Sequence, residues 1–193
     1  MSKSRLKLTY NSPVILTFSI ICLVTLLIDM MTQGGSNRLL FVCYGHANLL
    51  DPLTYLRMFS YVFGHANFAH FAGNITMLLL VGPIVENHYG SWNTVIMMAA
   101  TALAGGLLNM FFFDTGILGA SGLVFLMIIL SAFTSMKKGE IPLTLILIAA
   151  IYLGQEIYSG IAVNDNVSHF GHLCGGVSGI GFGIAFHKKK FNG

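Results

Sequence analysis

Six stretches of this chain are uncharged or nearly so, and apolar for long enough to dictate its environment: residues 13–31, 68–84, 92–109, 121–135, 141–155 and 167–187. A bilayer core of about 30 Å takes roughly 20 helical residues to cross. Backbone N–H and C=O groups in that core find no water, so only helices and closed barrels span it. The runs are continuously apolar, without the period-two alternation of a barrel strand, which selects helices. The fourth and fifth runs are the shortest, so their ends are the least defined. The expected fold class is therefore an all-α membrane protein, a bundle of six transmembrane helices.

Composition agrees. Hydrophobic residues make up 55% of the chain and charged residues 9%, against about 25% charged in a soluble domain. The 193 residues suffice for one domain, 1–193, with 1–12 and 188–193 as tails. No internal repeat or low-complexity linker stands out. The first run is too long for the apolar core of a signal peptide and reads as a retained span. The net charge of +3 lies in small clusters beside apolar segments. That pattern argues for membrane lipids and membrane proteins as partners, and against nucleic acid.

Those clusters also orient the bundle. Lys3, Arg5, Lys7, Lys137, Lys138, Lys188, Lys189 and Lys190 fall on one side of a six-span arrangement, and only Arg38 and Arg57 on the other. The positive-inside rule then puts both termini in the cytoplasm and makes residues 34–67 a long outer first loop. Cys22, Cys43 and Cys174 are scattered, with neither a disulfide framework nor metal-ligand spacing.

Polar residues inside membrane-length segments are costly and are functional candidates by default. Ser121, His172 and His70 each lie 16 residues before a charged flank, at Lys137, Lys188 and Glu86 respectively. At 1.5 Å per residue each sits about 24 Å above the inner boundary, in one layer slightly below the outer surface. Asn74 follows His70 at the i,i+4 spacing, on the same helix face. Gly119 and Gly122 flank Ser121, which opens its helix, where first-turn N–H groups lack intrahelical partners. Gly175, Gly179 and Gly183 form a small-residue ridge that allows close approach of helices. A serine, a histidine and converging donors are the parts of a nucleophile, its base and an oxyanion hole.

Each part alone has a plainer reading. Gly119-Ala120-Ser121-Gly122 is also a helix start, and position 123 is Leu rather than the Gly of a soluble-hydrolase elbow. The glycine ridge is packing in any case. His169 and His172, three apart, would suit a metal or haem ligand pair. His65 and His70, five apart, do not share a helix face, and His46, His88 and His187 lie near loops or ends. A transporter would be expected to carry internal pseudo-repeats.

Taken in order, these motifs resemble the rhomboid family of intramembrane serine proteases. The carriers are Arg57-x-x-Ser60-x-x-Phe63-x-His65-x-x-x-x-His70-x-x-x-Asn74, then Gly82-x-x-x-Glu86-x-x-x-Gly90, Gly119-Ala120-Ser121-Gly122, and His172-x-x-Gly175-x-x-x-Gly179. The resemblance runs from about Arg57 to Gly183. It implies a six-helix rhomboid-like bundle and a serine-type endopeptidase with a Ser–His dyad. Ser121 would be the nucleophile and His172 the base. His70, Asn74 and the Ser121 N–H would form the oxyanion hole, and the first loop would be held by Arg57. It implies no metal or organic cofactor, and transmembrane protein substrates cut near the outer ends of their helices. The expected location is a bacterial inner membrane, with the site opening to the outer side. The sequence departs from the family's pattern at Leu56, where Trp is frequent, and at Phe125, where many members place Tyr to stack on the histidine. The alternative within the resemblance is an inactive rhomboid-like binder of membrane helices.

Overall fold

A computed structural model describes residues 9–137, 140–162 and 169–192. All of its regular structure is helical: α1 Pro13–Met31, α2 Pro52–Ser60, α3 Phe68–Tyr89, α4 Ser91–Phe112, α5 Ser121–Phe133, α6 Leu143–Ala162 and α7 His169–Asn192. Among the described residues, α1, α3 and α4 are long and apolar enough to cross a membrane, and α5 and the first part of α6 are shorter apolar helices. A helix thus stands at each of the six apolar runs. Val167, the first residue expected of the last run, lies outside the described residues, as do residues 1–8 of the expected N-terminal tail.

Helix ends follow local chemistry. α3 continues through Pro83 to Tyr89, past the expected end at 84, and stops where Gly90 takes φ +83, a conformation that favours glycine. α7 continues through the lysines to Asn192. Most of the expected C-terminal tail is therefore helix, in keeping with the good helix propensity of lysine.

α1 begins at Pro13 without a cap from its own sequence, since Ser12 makes no side-chain capping bond. The missing acceptor comes from α3. Glu86, buried, accepts the Val14 N–H (3.0 Å) and the Ile15 N–H (3.1 Å) on its two oxygens, and the Ser91 hydroxyl at 2.7 Å. A carboxylate at a helix N-terminus satisfies orphan donors and complements the helix dipole. At the other end of α1, buried Asp29 accepts the Ser36 hydroxyl, the Asn37 N–H and the Asn37 amide.

α5 is the central helix. Leu123, Leu126, Met127, Ile129 and Leu130 are all essentially fully buried, as expected of a helix apolar on every face. Its closest partner is α7, and α3, α4 and α6 also pack against it. The α7 ridge makes the first contact possible. A Cβ on Gly175 would stand 1.9 Å from the Gly122 carbonyl oxygen, and one on Gly179 would stand 2.8 Å from Ile129 Cβ.

The first loop is structured. A short π-helical turn at Asn37–Phe41 precedes α2, a helix inside what the sequence offered as a connection. Its start signal is Asp51-Pro52: Asp51 accepts the Leu53 N–H at 3.0 Å, and Pro52 occupies the first turn, where its missing N–H costs nothing.

Candidate active site

Ser121 is the first residue of α5, preceded by Ala120 with no side-chain cap. Val124 N–H is bonded to the Ala120 carbonyl. The N–H groups of Ser121, Gly122 and Leu123 thus fall in the first turn, where a helix offers no acceptor.

The approach to Ser121 is fixed from the first loop by main-chain bonds. Cys43 and Ile117 form an antiparallel bridge, with N–O distances of 3.0 and 2.9 Å. Gly119 N–H donates to the Tyr61 carbonyl at 2.9 Å, and His46 N–H to the Met110 carbonyl at 2.8 Å. Buried Asn109 gives its amide to the carbonyls of Cys43 (3.1 Å) and Thr115 (3.0 Å).

Gly119, at φ +123, backs directly onto α3. A Cβ there would meet His70 Cε1 at 2.6 Å, His70 Nε2 at 2.7 Å and Asn74 Nδ2 at 3.6 Å. Only glycine lets the chain pass the His70 ring at this point and enter α5. His70 sits in the first turn of α3, its N–H held by the capping Asn67 side chain at 2.9 Å. Asn74 is one turn deeper, buried, with Nδ2 making no hydrogen bond among the described residues. A buried amide donor without an acceptor is costly, and here it stands beside the start of α5.

α7 closes the other side. The His172 ring stacks on Phe125, with centroids 4.6 Å apart and planes at 8°. Phe125 is one turn after Ser121 on the same face of α5, so the stack sets His172 over that face. Tyr152 of α6 meets Phe125 edge-on at 5.6 Å. Next to the stack the α5 and α7 backbones touch: a Cβ on Gly122 would lie 3.0 Å from the Gly171 oxygen.

Ser121, His172, His70, Asn74, Gly119, Gly122, Phe125 and Gly175 are therefore gathered where α3, α5 and α7 meet. Gly179 packs a turn further along, against Ile129 and the Leu126 carbonyl. Arg57 lies in the loop. Its Nε donates to the Leu39 carbonyl at 2.9 Å and its guanidinium pairs with Asp51 at 3.0 Å, with its carbon 5.4 Å from the Tyr44 ring centroid.

Two outcomes were not legible beforehand. His65 and His70 cannot share a helix face, yet their rings are 5.1 Å apart, because His65 precedes α3 in the turn. His65 is fully buried beside Phe71. Burial, together with the neighbouring His70, pushes its imidazole down to about 4, leaving it neutral at physiological pH. The Asn37 amide that bonds Asp29 also donates to the His65 carbonyl at 2.9 Å, tying the end of α1 to the turn before α3. The rings of His169 and His172 stand 6.4 Å apart at 90°. No group of three or more metal-ligating side chains occurs among the described residues.

The fold and site define a multi-pass helical membrane protein that brings a serine and two histidines together from three different helices. Residues 52–189 match the family model described as the Rhomboid domain, and the chain belongs to the rhomboid family. It is 30% identical to Rhomboid-related protein 1 of Caenorhabditis elegans, over 73% of this chain and 45% of that protein. It is 30% identical to Rhomboid protease GluP of Bacillus subtilis (strain 168), over 74% of this chain and 29% of that protein. RHOMBOID-like protein 1 of Arabidopsis thaliana is also 30% identical, over 67% of this chain and 34% of that protein. The chain thus spans less than half the length of these relatives.

Proposed function

We propose that this protein is an intramembrane serine endopeptidase with a Ser121–His172 dyad, acting on transmembrane segments of other membrane proteins. The observation that carries the reading is the pairing of contacts around Ser121: His172 stacked on Phe125 to one side, and the His70 ring and Asn74 amide against Gly119 on the other. A protease among the relatives supports it.

In this reading the Ser121 hydroxyl adds to the scissile carbonyl carbon as His172 takes its proton. The carbonyl oxygen becomes an oxyanion. Ser121 N–H, the Asn74 amide and the His70 ring surround it with donors that were in place before reaction, which is what makes such stabilisation effective. Collapse breaks the C–N bond, and the His172 proton leaves with the amine. Water then repeats the sequence on the acyl-serine, with His172 as base, releasing the acid and restoring the hydroxyl. No metal or organic cofactor enters any step.

The six spans, the cytoplasmic termini and a site open to the outer side belong to the same proposal, supported by the Lys and Arg distribution, and a bacterial inner membrane is the location it proposes. Substrates would be helices with small residues at the scissile bond and helix-weakening residues beyond it. The test is reaction of the purified protein with a fluorophosphonate probe and cleavage of a transmembrane reporter. Ser121→Ala is expected to abolish both. Cleavage by Ser121→Ala at the wild-type rate would refute the dyad.

A further inference from the structure

Glu86 sets the starts of α1 and α4 side by side, since it holds the Val14 and Ile15 N–H groups and the Ser91 hydroxyl together. The two helices run on from there in the same direction, yet α1 packs mainly on α3. Between α1 and α4 lies a groove of about 530 Å³, which follows α1 from Pro13 to Ile21 and α4 from Val95 to Ala102. Phe18, Met98 and Ala102 are buried along its floor, and Ile21 and Val95 stand exposed at its rim.

The first loop closes one end. Cys22 Sγ approaches the Val62 carbonyl at 3.9 Å, and the Thr25 hydroxyl donates to the Phe63 carbonyl at 2.7 Å. These bonds fix the turn Tyr61–Phe63 about halfway along α1, where Val62 and Phe63 meet the groove. Leu123, almost fully buried and two residues after Ser121, also lines it.

Size and chemistry select the occupant. From Pro13 to Ile21 the groove runs about 12 Å at 1.5 Å per residue, close to half of a bilayer core of about 30 Å. That is the depth of one leaflet. A helix with its side chains is about 10–12 Å across, so the same length of helix would need about 1,000 Å³, nearly twice what the groove offers. Thr17 is the only polar side chain in the lining, and its hydroxyl is bonded to that of Tyr10 at 3.0 Å. A hydrocarbon chain is the complement of such a surface. α1 and α4 are both long and apolar enough to cross a membrane, so they stand in a medium made of such chains. There the gain comes from packing, because an empty gap forfeits dispersion contacts along its whole lining.

We propose that this groove is a binding site for one acyl chain of a membrane phospholipid, held as part of the fold rather than exchanging freely with the bilayer. The chain enters beside Pro13 and Val95 and ends against Val62 and Phe63. It fills the gap between α1 and α4 and rests on Leu123, in the first turn of the helix that Ser121 opens. This stands apart from the proteolysis reading, because the site is measured without catalysis.

The experiment places the full chain in nanodiscs of phosphatidylcholine carrying a photoreactive diazirine midway along one acyl chain, irradiates it and maps the labelled residues by mass spectrometry. Phe18, Ile21, Met98 and Ala102 are expected to carry about tenfold more label than the outward-facing Ile20, Leu80 and Ile151, a preference of about 1.4 kcal/mol. Ala99 lines the groove and is exposed, so Ala99→Phe fills the space and should bring groove labelling down to the level of those controls. Ile96→Phe, at an exposed α4 position outside the groove, should leave it unchanged. Equal labelling of groove and control residues in the wild type would mean ordinary bilayer contact and overturn the proposal. So would unchanged groove labelling in an Ala99→Phe variant whose unfolding temperature matches the wild type, or an equal loss in both variants. Groove labelling that falls as the protein is crowded in the bilayer would assign the groove to a second copy of the chain and overturn the acyl-chain assignment.

Discussion

Gly175→Ala isolates the backbone contact between the helices that carry Ser121 and His172. The added Cβ would begin 1.9 Å from the Gly122 carbonyl oxygen, 2.7 Å from its carbon and 3.0 Å from its Cα. All three are backbone atoms, so no side chain can swing aside. Relief to an ordinary contact of about 3.4 Å requires α5 and α7 to part locally by about 1.5 Å, within one turn of both Ser121 and His172. Misplacement of reacting groups by about 1 Å can cost about 100-fold in rate, and overpacking typically costs about 1–3 kcal/mol. Gly175→Ala is therefore expected to slow fluorophosphonate labelling of Ser121 by about 100-fold and to lower the unfolding temperature. Gly181→Ala is the internal control. It lies on the same helix with nothing within 4 Å of its added Cβ, and alanine exceeds glycine in helix propensity by about 1 kcal/mol. Its labelling should equal wild type and its unfolding temperature should hold or rise. Labelling of Gly175→Ala within twofold of wild type would refute the claim that this backbone contact sets the relation of Ser121 to His172.

Substitutions at three further positions probe supports elsewhere in the fold as well as beside Ser121. Phe125→Leu removes the ring stacked on His172 and should slow labelling by about tenfold, while Phe125→Tyr keeps the stack and should stay near wild type; equal rates in all three would dismiss the stack as a positioning element. Glu86→Ala strips two orphan N–H groups of α1 and one hydroxyl of their acceptor, and hydrogen bonds to charged groups contribute about 1.5–3 kcal/mol each. A fall in the thermal midpoint larger than that of Glu86→Gln is expected, and no fall would contradict the capping role. Arg57→Ala frees the Leu39 carbonyl and Asp51 from their shared partner and should speed proteolytic nicking within residues 34–51 severalfold, with an unchanged digestion pattern as the contrary result.

Much of the helical framework was legible because the bilayer imposes one rule, continuous apolar runs of helical length, and α1 obeys it to the residue. Ser121, His70 and His172 were legible as polar interruptions at matching heights along such runs. Heights along helices say nothing of rotation about them, so the stack of His172 on Phe125 and the pressure of Gly119 on His70 needed three dimensions. α2 escaped notice because its nine residues are far too few for a membrane-length run, although Asp51-Pro52 announces its start. The partners of Glu86 and Asp29 are main-chain and side-chain donors far away in sequence or in an adjoining turn, and no periodicity encodes them. His65 shows the limit of face arguments: spacing excludes it from the His70 face only while both residues are helical.

The segment leading into Ser121 is held mainly by backbone groups, through Cys43 with Ile117, Gly119 with Tyr61, and His46 with Met110. Any non-proline residue carries the same N–H and C=O. Those bonds therefore do not depend on side-chain identity, and exposed His46 can change without losing its own, whereas Cys43, Tyr61, Met110 and Ile117 are buried and are fixed by packing as well. The exceptions are the places where a side chain would collide: Gly45, whose Cβ would fall 1.8 Å from the Phe113 oxygen, and Gly119 beside His70. Gly64 and Gly116 are nearly as confined, with added Cβ atoms 2.6 Å from Phe41 Cβ and 2.7 Å from Val42 Cγ1, and at these points the loop's freedom to vary ends.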